Sequence, residues 1–586
     1  WFTARGDSER GSRMGLSRRD FLTRIGSAGG YSAAFLSMQA LGLAPVPEAA
    51  AANAPRAVDA LQAAAPNAGR GRSVVILGGG IAGLVAAYEL RKLGYTATVL
   101  EARSRPGGRN WTVRGQDTVS LMGFPEQSCA WDAGHYQNCG PARLPSVHTT
   151  MLGYCKELHV PLEVEINTTR SEFLVNPKAN GGKPVVLRQA VNDTRGRVSE
   201  LLMKSIHSGA LDADLSAEDR DRMMSFLGTY GELDKAGKYN GSDRSGYSTL
   251  PGAADQTGVL SQPLDMHTLL DEGFWQGMLF EETFDQQATM FQPVGGMDRI
   301  PYAFAKSLGE IVQYGAPITE IRKTAHGVRI GYTQAGSPKS IEAEFCICAL
   351  PLTQLRKIPN DLAAPYKKIA AESTYAEAYK VAWESRRFWE QDYNIYGGLE
   401  WVMEGPSPVW MPSWGFFSER GVAVSGYTDE RGTPFGTMSL PEKLVASRGS
   451  MERLHPGHGK ELEKPIYVGW GHVGWNEGSW IRSYSTNGPQ RPGRVAAPGG
   501  PAQPGGTRAA AAAAAPPIFA ELNSAGDPAY EQLLVPDGPV YFAGDHTSHI
   551  VGWQEGAALS SLRAVKLITE RVQASVAVER SAGVRA

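Results

Sequence analysis

The chain has 586 residues, more than a single core sustains, so two or three domains are expected. Hydrophobic residues at 42% and charged residues at 20% suit a globular protein, and a formal net charge of −2 gives no bulk attraction to nucleic acid or an anionic membrane. Five cysteines, an odd number without CxxC spacing, exclude a disulfide framework and a CxxC metal or redox pair.

In chain order, residues 1–50 read as an address rather than as structure. "SRRDFLTRIGSAGG" sets Arg18 and Arg19 before a weakly apolar, small-residue run that ends near "APVPEAAAANAP". This is similar to a twin-arginine export signal, with Met14 as a candidate start. An exported protein, periplasmic or extracellular, is expected. No other apolar run approaches the ~20 residues of a membrane span, so the mature form is expected to have no membrane partner. Residues 51–71, rich in Ala, Asn and Pro, read as a linker.

From Ser73 the pattern is strand, glycine turn, helix, strand. Gly78, Gly80 and Gly83 form G-x-G-x-x-G between "VVIL" and "IAGLVAAYEL". The first glycine permits a tight turn, the second lets a pyrophosphate approach the backbone, and the third lets helix and strand pack closely. The helix N-terminus favours phosphate charge. Glu101 follows the second strand, where a carboxylate accepts ribose hydroxyls. Nicotinamide and flavin dinucleotides both use this turn. A second glycine pair, Gly107 and Gly108, flanked by Arg103 and Arg109, suits a longer cofactor lying along the chain.

Further on, Ser199 through Leu233 has helical periodicity and a cap in "LSAEDR". "ITEIRKTAHGVRIGYT" and "IEAEFCICALP" alternate as strands, with Cys346 and Cys348 sharing one face as small hydrophobes. "YKVAWESRRFWE" through "RGVAVSGYTDE" is β-rich, and residues 491–517 form a low-complexity surface loop. The final segment returns to strand, glycine turn and helix. The fold class expected is α/β plus a β-rich domain: a Rossmann-type domain built from discontinuous segments, a mixed-sheet substrate domain and a helical insertion. The boundaries are 72–145, 286–350 and 518–575 for the cofactor segments. Residues 146–285, with the insertion, and 351–490 make the substrate domain.

Four ordered segments carry a family resemblance: "EARSRPGGR", "FQPVGGMDRIPYAFA", "ITEIRK" and "YFAGDHTSHIVGWQEGAALSS". They resemble the flavin amine oxidase family, although that family commonly has Glu where this chain has Asp545. The resemblance implies non-covalent FAD. Its contacts would come from Gly78, Gly80, Ile81, Ala82 and Gly83; from Glu101, Ala102 and Arg103; and from Gly107, Gly108, Arg109 and Ile318. Gly544, Asp545, Gly552 and Trp553 complete the set.

Within the family, "NCGPARLPSVH" is similar to the segment that supplies the carboxylate-binding arginine of L-amino acid oxidases, here Arg143. A guanidinium fork suits two carboxylate oxygens. The resemblance adds Tyr427 and Trp410 to the substrate pocket and places Lys380 near the flavin, holding a water. It makes the Gly552 carbonyl an acceptor for the substrate amine. His546 and His549 fall near the flavin by motif position, and neither is assigned as a base.

The activity implied is oxidative deamination. Hydride passes from the α-carbon of a neutral amine to flavin N5, oxygen is reduced to hydrogen peroxide, and the imino acid is hydrolysed to a 2-oxo acid and ammonia. An L-amino acid and molecular oxygen are the expected partners, with no nucleic acid and no metal, in a homodimer. The alternatives are an L-amino acid 2-monooxygenase giving an amide and carbon dioxide, an amine or polyamine oxidase, and a flavin-bearing electron-transfer protein.

Overall fold

The short strands Ser73–Leu77, Thr96–Leu100 and Phe345–Cys348 are rich in aliphatic and β-branched residues and largely buried on both faces. That is the pattern of a parallel sheet covered on both sides. In the computed structural model they lie in a five-stranded parallel sheet. Its order is Val312–Gln313, Thr96–Leu100, Ser73–Leu77, Phe345–Cys348, Val540–Phe542. Three stretches far apart in sequence therefore build one sheet, as the discontinuous pattern predicts.

Alternation decides what covers each face. Val74, Ile76, Phe345 and Ile347 pack with the helix Ile81–Lys92 and the C-terminal helix Gln554–Gly583. Val75, Leu77, Cys346 and Cys348 pack with the antiparallel strands Ile318–Thr324, Gly327–Gln334 and Ser337–Ala343. The two cysteines do share one face. All five cysteines are free and buried.

A second, mixed sheet has seven strands. Its order is Val185–Val186, Phe173–Val175, Gly398–Val402, Val409–Met411, Arg420–Asp429, Ala378–Arg386, Glu463–Gly469. Its longest pair, Ala378–Arg386 with Arg420–Asp429, is antiparallel and sets Lys380 opposite Tyr427. Ala378 through Ser385 is buried at every position, so a lysine in this strand has no route to water along its own sheet.

The helical insertion is longer than Ser199 through Leu233. One helix runs Leu187–His207 and a second runs Ala217–Tyr230. The second starts where the cap predicts: the Ser216 hydroxyl accepts from the Asp219 backbone N–H. The first starts earlier because tertiary contacts override weak helix formers. Buried Asp193 accepts hydrogen bonds from the Tyr239 and Ser245 hydroxyls at 2.6 Å each and from the Leu264 N–H at 2.8 Å. Gly196 lets Tyr239 lie flat on the helix, since a Cβ there would come within 2.2 Å of the ring.

The structure describes residues 67–485 and 526–583. The twin-arginine segment, most of the linker and the 491–517 loop lie outside the described residues. No helix among those described is long and apolar enough to cross a membrane.

Candidate active site

The helix Ile81–Lys92 begins at Gly80 with no side-chain cap and no acidic residue in its first turn. Its leading N–H groups are therefore available to an anion. Gly78, at φ 100°, makes the turn, and a Cβ on Gly80 would meet no atom within 4 Å. Gly83 does not line the opening. A Cβ there would lie 1.9 Å from the Gly78 carbonyl oxygen, so it serves the close helix–strand packing expected of the third glycine.

Glu101 closes the turn from the next strand. Its carboxylate accepts the Gly79 N–H at 2.7 Å and the Arg103 N–H at 2.8 Å. Each oxygen keeps a further lone pair for a ribose hydroxyl. The Arg103 guanidinium turns to the Asn476 amide oxygen at 2.6 Å and the Gly474 carbonyl.

Arg109, expected at the cofactor, is also paired within the chain. Its guanidinium forms a two-pronged pair with Asp545, at 2.5 and 3.0 Å, and also donates to the Ser479 carbonyl. Burial opposes charge on both groups, yet each holds the other ionised: Arg109 is shifted up and Asp545 down. Asp545 also receives the Gly552 N–H at 3.4 Å. The shorter acid thus ties the second glycine segment to the C-terminal turn.

Beside it, His546 is buried and both ring nitrogens lack a hydrogen-bond partner among the described residues. Burial lowers its pKa to about 4, so the ring is neutral at pH 7. Orphaned polar atoms in the wall of an uncapped glycine cradle fit a polar cofactor.

These residues line one cavity of about 340 Å³. Of the residues expected to bind the cofactor, Gly78, Gly80, Ile81, Ala82, Glu101, Ala102, Arg103, Gly107, Gly108, Arg109, Ile318, Gly544, Asp545, Gly552 and Trp553 all face it. The substrate candidates Lys380, Arg143, Trp410 and Tyr427 face the same space.

Arg143 is 7% exposed and donates to the Asn167 side-chain oxygen, with its guanidinium 4.5 Å from the Trp410 ring centre and 5.9 Å from that of Phe280. No carboxylate among the described residues forms an ion pair with it, whereas buried Arg387 pairs with Glu390. Lys380 donates to the Asn138 and Gly140 carbonyls at 2.6 and 2.8 Å and stands 5.2 and 5.1 Å from the Trp410 and Tyr427 rings. Burial drives its pKa down to about 7. Trp553 donates to Asp285 at 2.8 Å, which fixes its indole in the wall.

Phe280, Gln286, Trp470, Trp480 and Gln554 also face the cavity and have no counterpart in the sequence reading. Phe280 and Gln286 sit in short 3₁₀ turns after Glu272–Leu279, where periodicity gives no signal. Gln554 was within reach: it directly follows Trp553, and its amide oxygen accepts from Asn110 at 2.5 Å.

An uncapped helix above a parallel sheet, opening into an aromatic-walled cavity in contact with a second sheet, defines a dinucleotide-cofactor oxidoreductase. Residues 81–569 match the family model of flavin containing amine oxidoreductases, and the chain belongs to that family. It is 25% identical to the YobN protein of Bacillus subtilis (strain 168) over 84% of this chain and 93% of the relative. It is 24% identical to the L-amino-acid oxidase of Gloydius blomhoffii over 84% and 88%. Its fold is similar to putrescine oxidase solved with putrescine, with a TM-score of 0.53 and 19% identity over 85% of this chain and 98% of that one.

Proposed function

We propose that the protein is an FAD-dependent L-amino acid oxidase, converting an L-amino acid, oxygen and water to a 2-oxo acid, ammonia and hydrogen peroxide. The observation that carries this is Arg143: a buried guanidinium facing the cavity with no carboxylate in ion-pair contact among the described residues. A buried cation without a carboxylate in contact is costly. A substrate carboxylate relieves that cost, and a simple amine does not.

The flavin supplies the hydride acceptor and the route to oxygen. The chain's own residues bind and orient. Arg143 takes the carboxylate through its fork. Trp410, Tyr427 and Phe280 exclude water around it. Lys380, whose charge is half titrated near neutrality, holds a water through its remaining donor. The Gly552 carbonyl accepts from the substrate amine.

FAD is held without a covalent bond. Cys139 is the one cysteine that faces the cavity, and burial pushes its thiol up to about 12, away from the reactive thiolate.

The second reading is an amine oxidase, favoured by the structural likeness to putrescine oxidase. A peroxide-coupled screen of the twenty L-amino acids beside their decarboxylated amines tests both. Hydrogen peroxide with a 2-oxo acid supports the proposal, and turnover of amines alone overturns it. An amide with carbon dioxide assigns the monooxygenase reaction instead.

A further inference from the structure

Across Trp410 from the main cavity lies a carboxylate that the proposed chemistry leaves unused. Glu165 ends the Leu162–Glu165 strand at 3% exposure, and neither oxygen meets a donor in hydrogen-bonding geometry among the described residues. It lines a second cavity of about 30 Å³ with Tyr136, Gln292 and Ser413. The Tyr136 hydroxyl there is also without a partner among the described residues. Ala142 and Trp410 wall both cavities, and the Trp410 ring carries Arg143 and Lys380 within 4.5 and 5.2 Å of its centre. The small cavity has room for a water to carry a proton.

The groups facing Glu165 are few. Its strand neighbour Glu163 is engaged by Gln292 at 3.1 Å, on the adjoining Met290–Pro293 strand. Tyr136, Trp410 and Ser413 offer neutral polar atoms. Arg143, the nearby Trp410 indole N–H and Lys380 all favour the anion. Burial outweighs them and raises the Glu165 pKa to about 7. One guanidinium in a low-dielectric wall supports one carboxylate, and a second anion arriving beside it raises the pKa of the first.

Resting on the reading of Arg143 as the substrate anchor, we infer that Glu165 is a charge-balancing residue, whose carboxylate offsets the Arg143 charge in the free site without an ion pair between the two. It takes one proton from solvent when a substrate carboxylate pairs with Arg143. The balance is one carboxylate and one proton going to one carboxylic acid, with no redox change. The sign follows: above the free-site pKa, binding takes up a proton, so affinity for an anion falls as pH rises. The anchor therefore weakens above neutrality, against the chemistry's need for a neutral substrate amine.

The test uses the flavin-loaded protein with phenylacetate and its neutral isostere phenylacetamide, by titration calorimetry from pH 5.5 to 9 in two buffers of different ionisation heat. Phenylacetate should weaken by about tenfold per pH unit above neutrality, with uptake approaching one proton. Phenylacetamide should show no slope. Glu165→Gln should flatten the phenylacetate profile and bind more tightly than the wild type at pH 9. A flat wild-type profile overturns the inference. A slope that persists in Glu165→Gln also overturns it and assigns the proton to Lys380. Should Glu165→Gln not fold, Lys380→Met decides: a surviving slope supports Glu165, and a lost one overturns it. Arg143→Ala separates the two readings. If it abolishes phenylacetate binding while the wild type shows no slope, Glu165 alone fails. If it binds phenylacetate as the wild type does, the anchor fails and this inference with it.

Discussion

At the scale of single residues, the site is governed by how each buried charge is compensated. Arg109 and Asp545 compensate each other. Asp545→Asn keeps the shape and leaves Arg109 uncompensated, so it should destabilise the protein by about 3–5 kcal/mol at pH 7. The Asp545 pKa is lowered in the fold, so its contribution is present above the unfolded value near 3.8 and is lost as pH falls below it. Urea unfolding of wild type and variant should therefore stay apart at pH 7 and draw together as pH falls below 3.8 through the lowered folded value. Equal stability at pH 7 would contradict the pairing. Sequence motifs identified both residues but not their partnership, because pairing between positions so far apart depends on the fold. Glu165 left no trace, because a lone Glu at a strand end has no spacing signature.

At the scale of elements, the three glycines of the first turn do separable work. Gly80 has φ −73°, open to any residue, and free space where a Cβ would go. Gly80→Ala should fold with a Tm near that of the flavin-free wild type and lose flavin, because its methyl group enters the anion cradle. Gly83→Ala has no such space and must push the Ile81–Lys92 helix off its strand. It should lower stability by about 1–3 kcal/mol or more as well as flavin content. Thermal melts paired with the flavin-to-protein absorbance ratio check both, and equal melts for the two variants would remove the distinction. This element was fully legible, since strand, turn, helix and acid are local. The start of the Leu187–His207 helix was not, because Asp193 and Gly196 are poor helix formers whose reason for being there is Tyr239, which lies far along the chain.

At the scale of the whole molecule, one cavity is walled by residues from Gly78 to Ala557. A ligand in it bridges the separated segments, and binding to the native state alone stabilises by about 2.7 kcal/mol at a hundredfold excess over Kd. Flavin removal should therefore lower the Tm of the entire unit in one transition. Acid precipitation should release all colour as FAD, and colour retained in the pellet would contradict the non-covalent reading. The family motifs made the cofactor side of the cavity readable in advance. The substrate side was readable at Arg143, Lys380, Trp410 and Tyr427, and unreadable at Phe280 and Gln286, where irregular turns are placed by packing alone.

The central claim is that Arg143 selects an amino acid over an amine, and one comparison tests it most directly. The kcat/KM of Arg143→Ala is measured on the best L-amino acid and on its decarboxylated amine, with flavin content confirmed by absorbance. Loss of a buried charge partner at about 3–5 kcal/mol corresponds to a fall of roughly 100- to several-thousand-fold on the amino acid. The amine, which never made the contact, should lose nothing, and Arg143→Lys should recover part of the fall. A fall below tenfold on the amino acid with flavin fully bound would contradict the account and favour an amine oxidase.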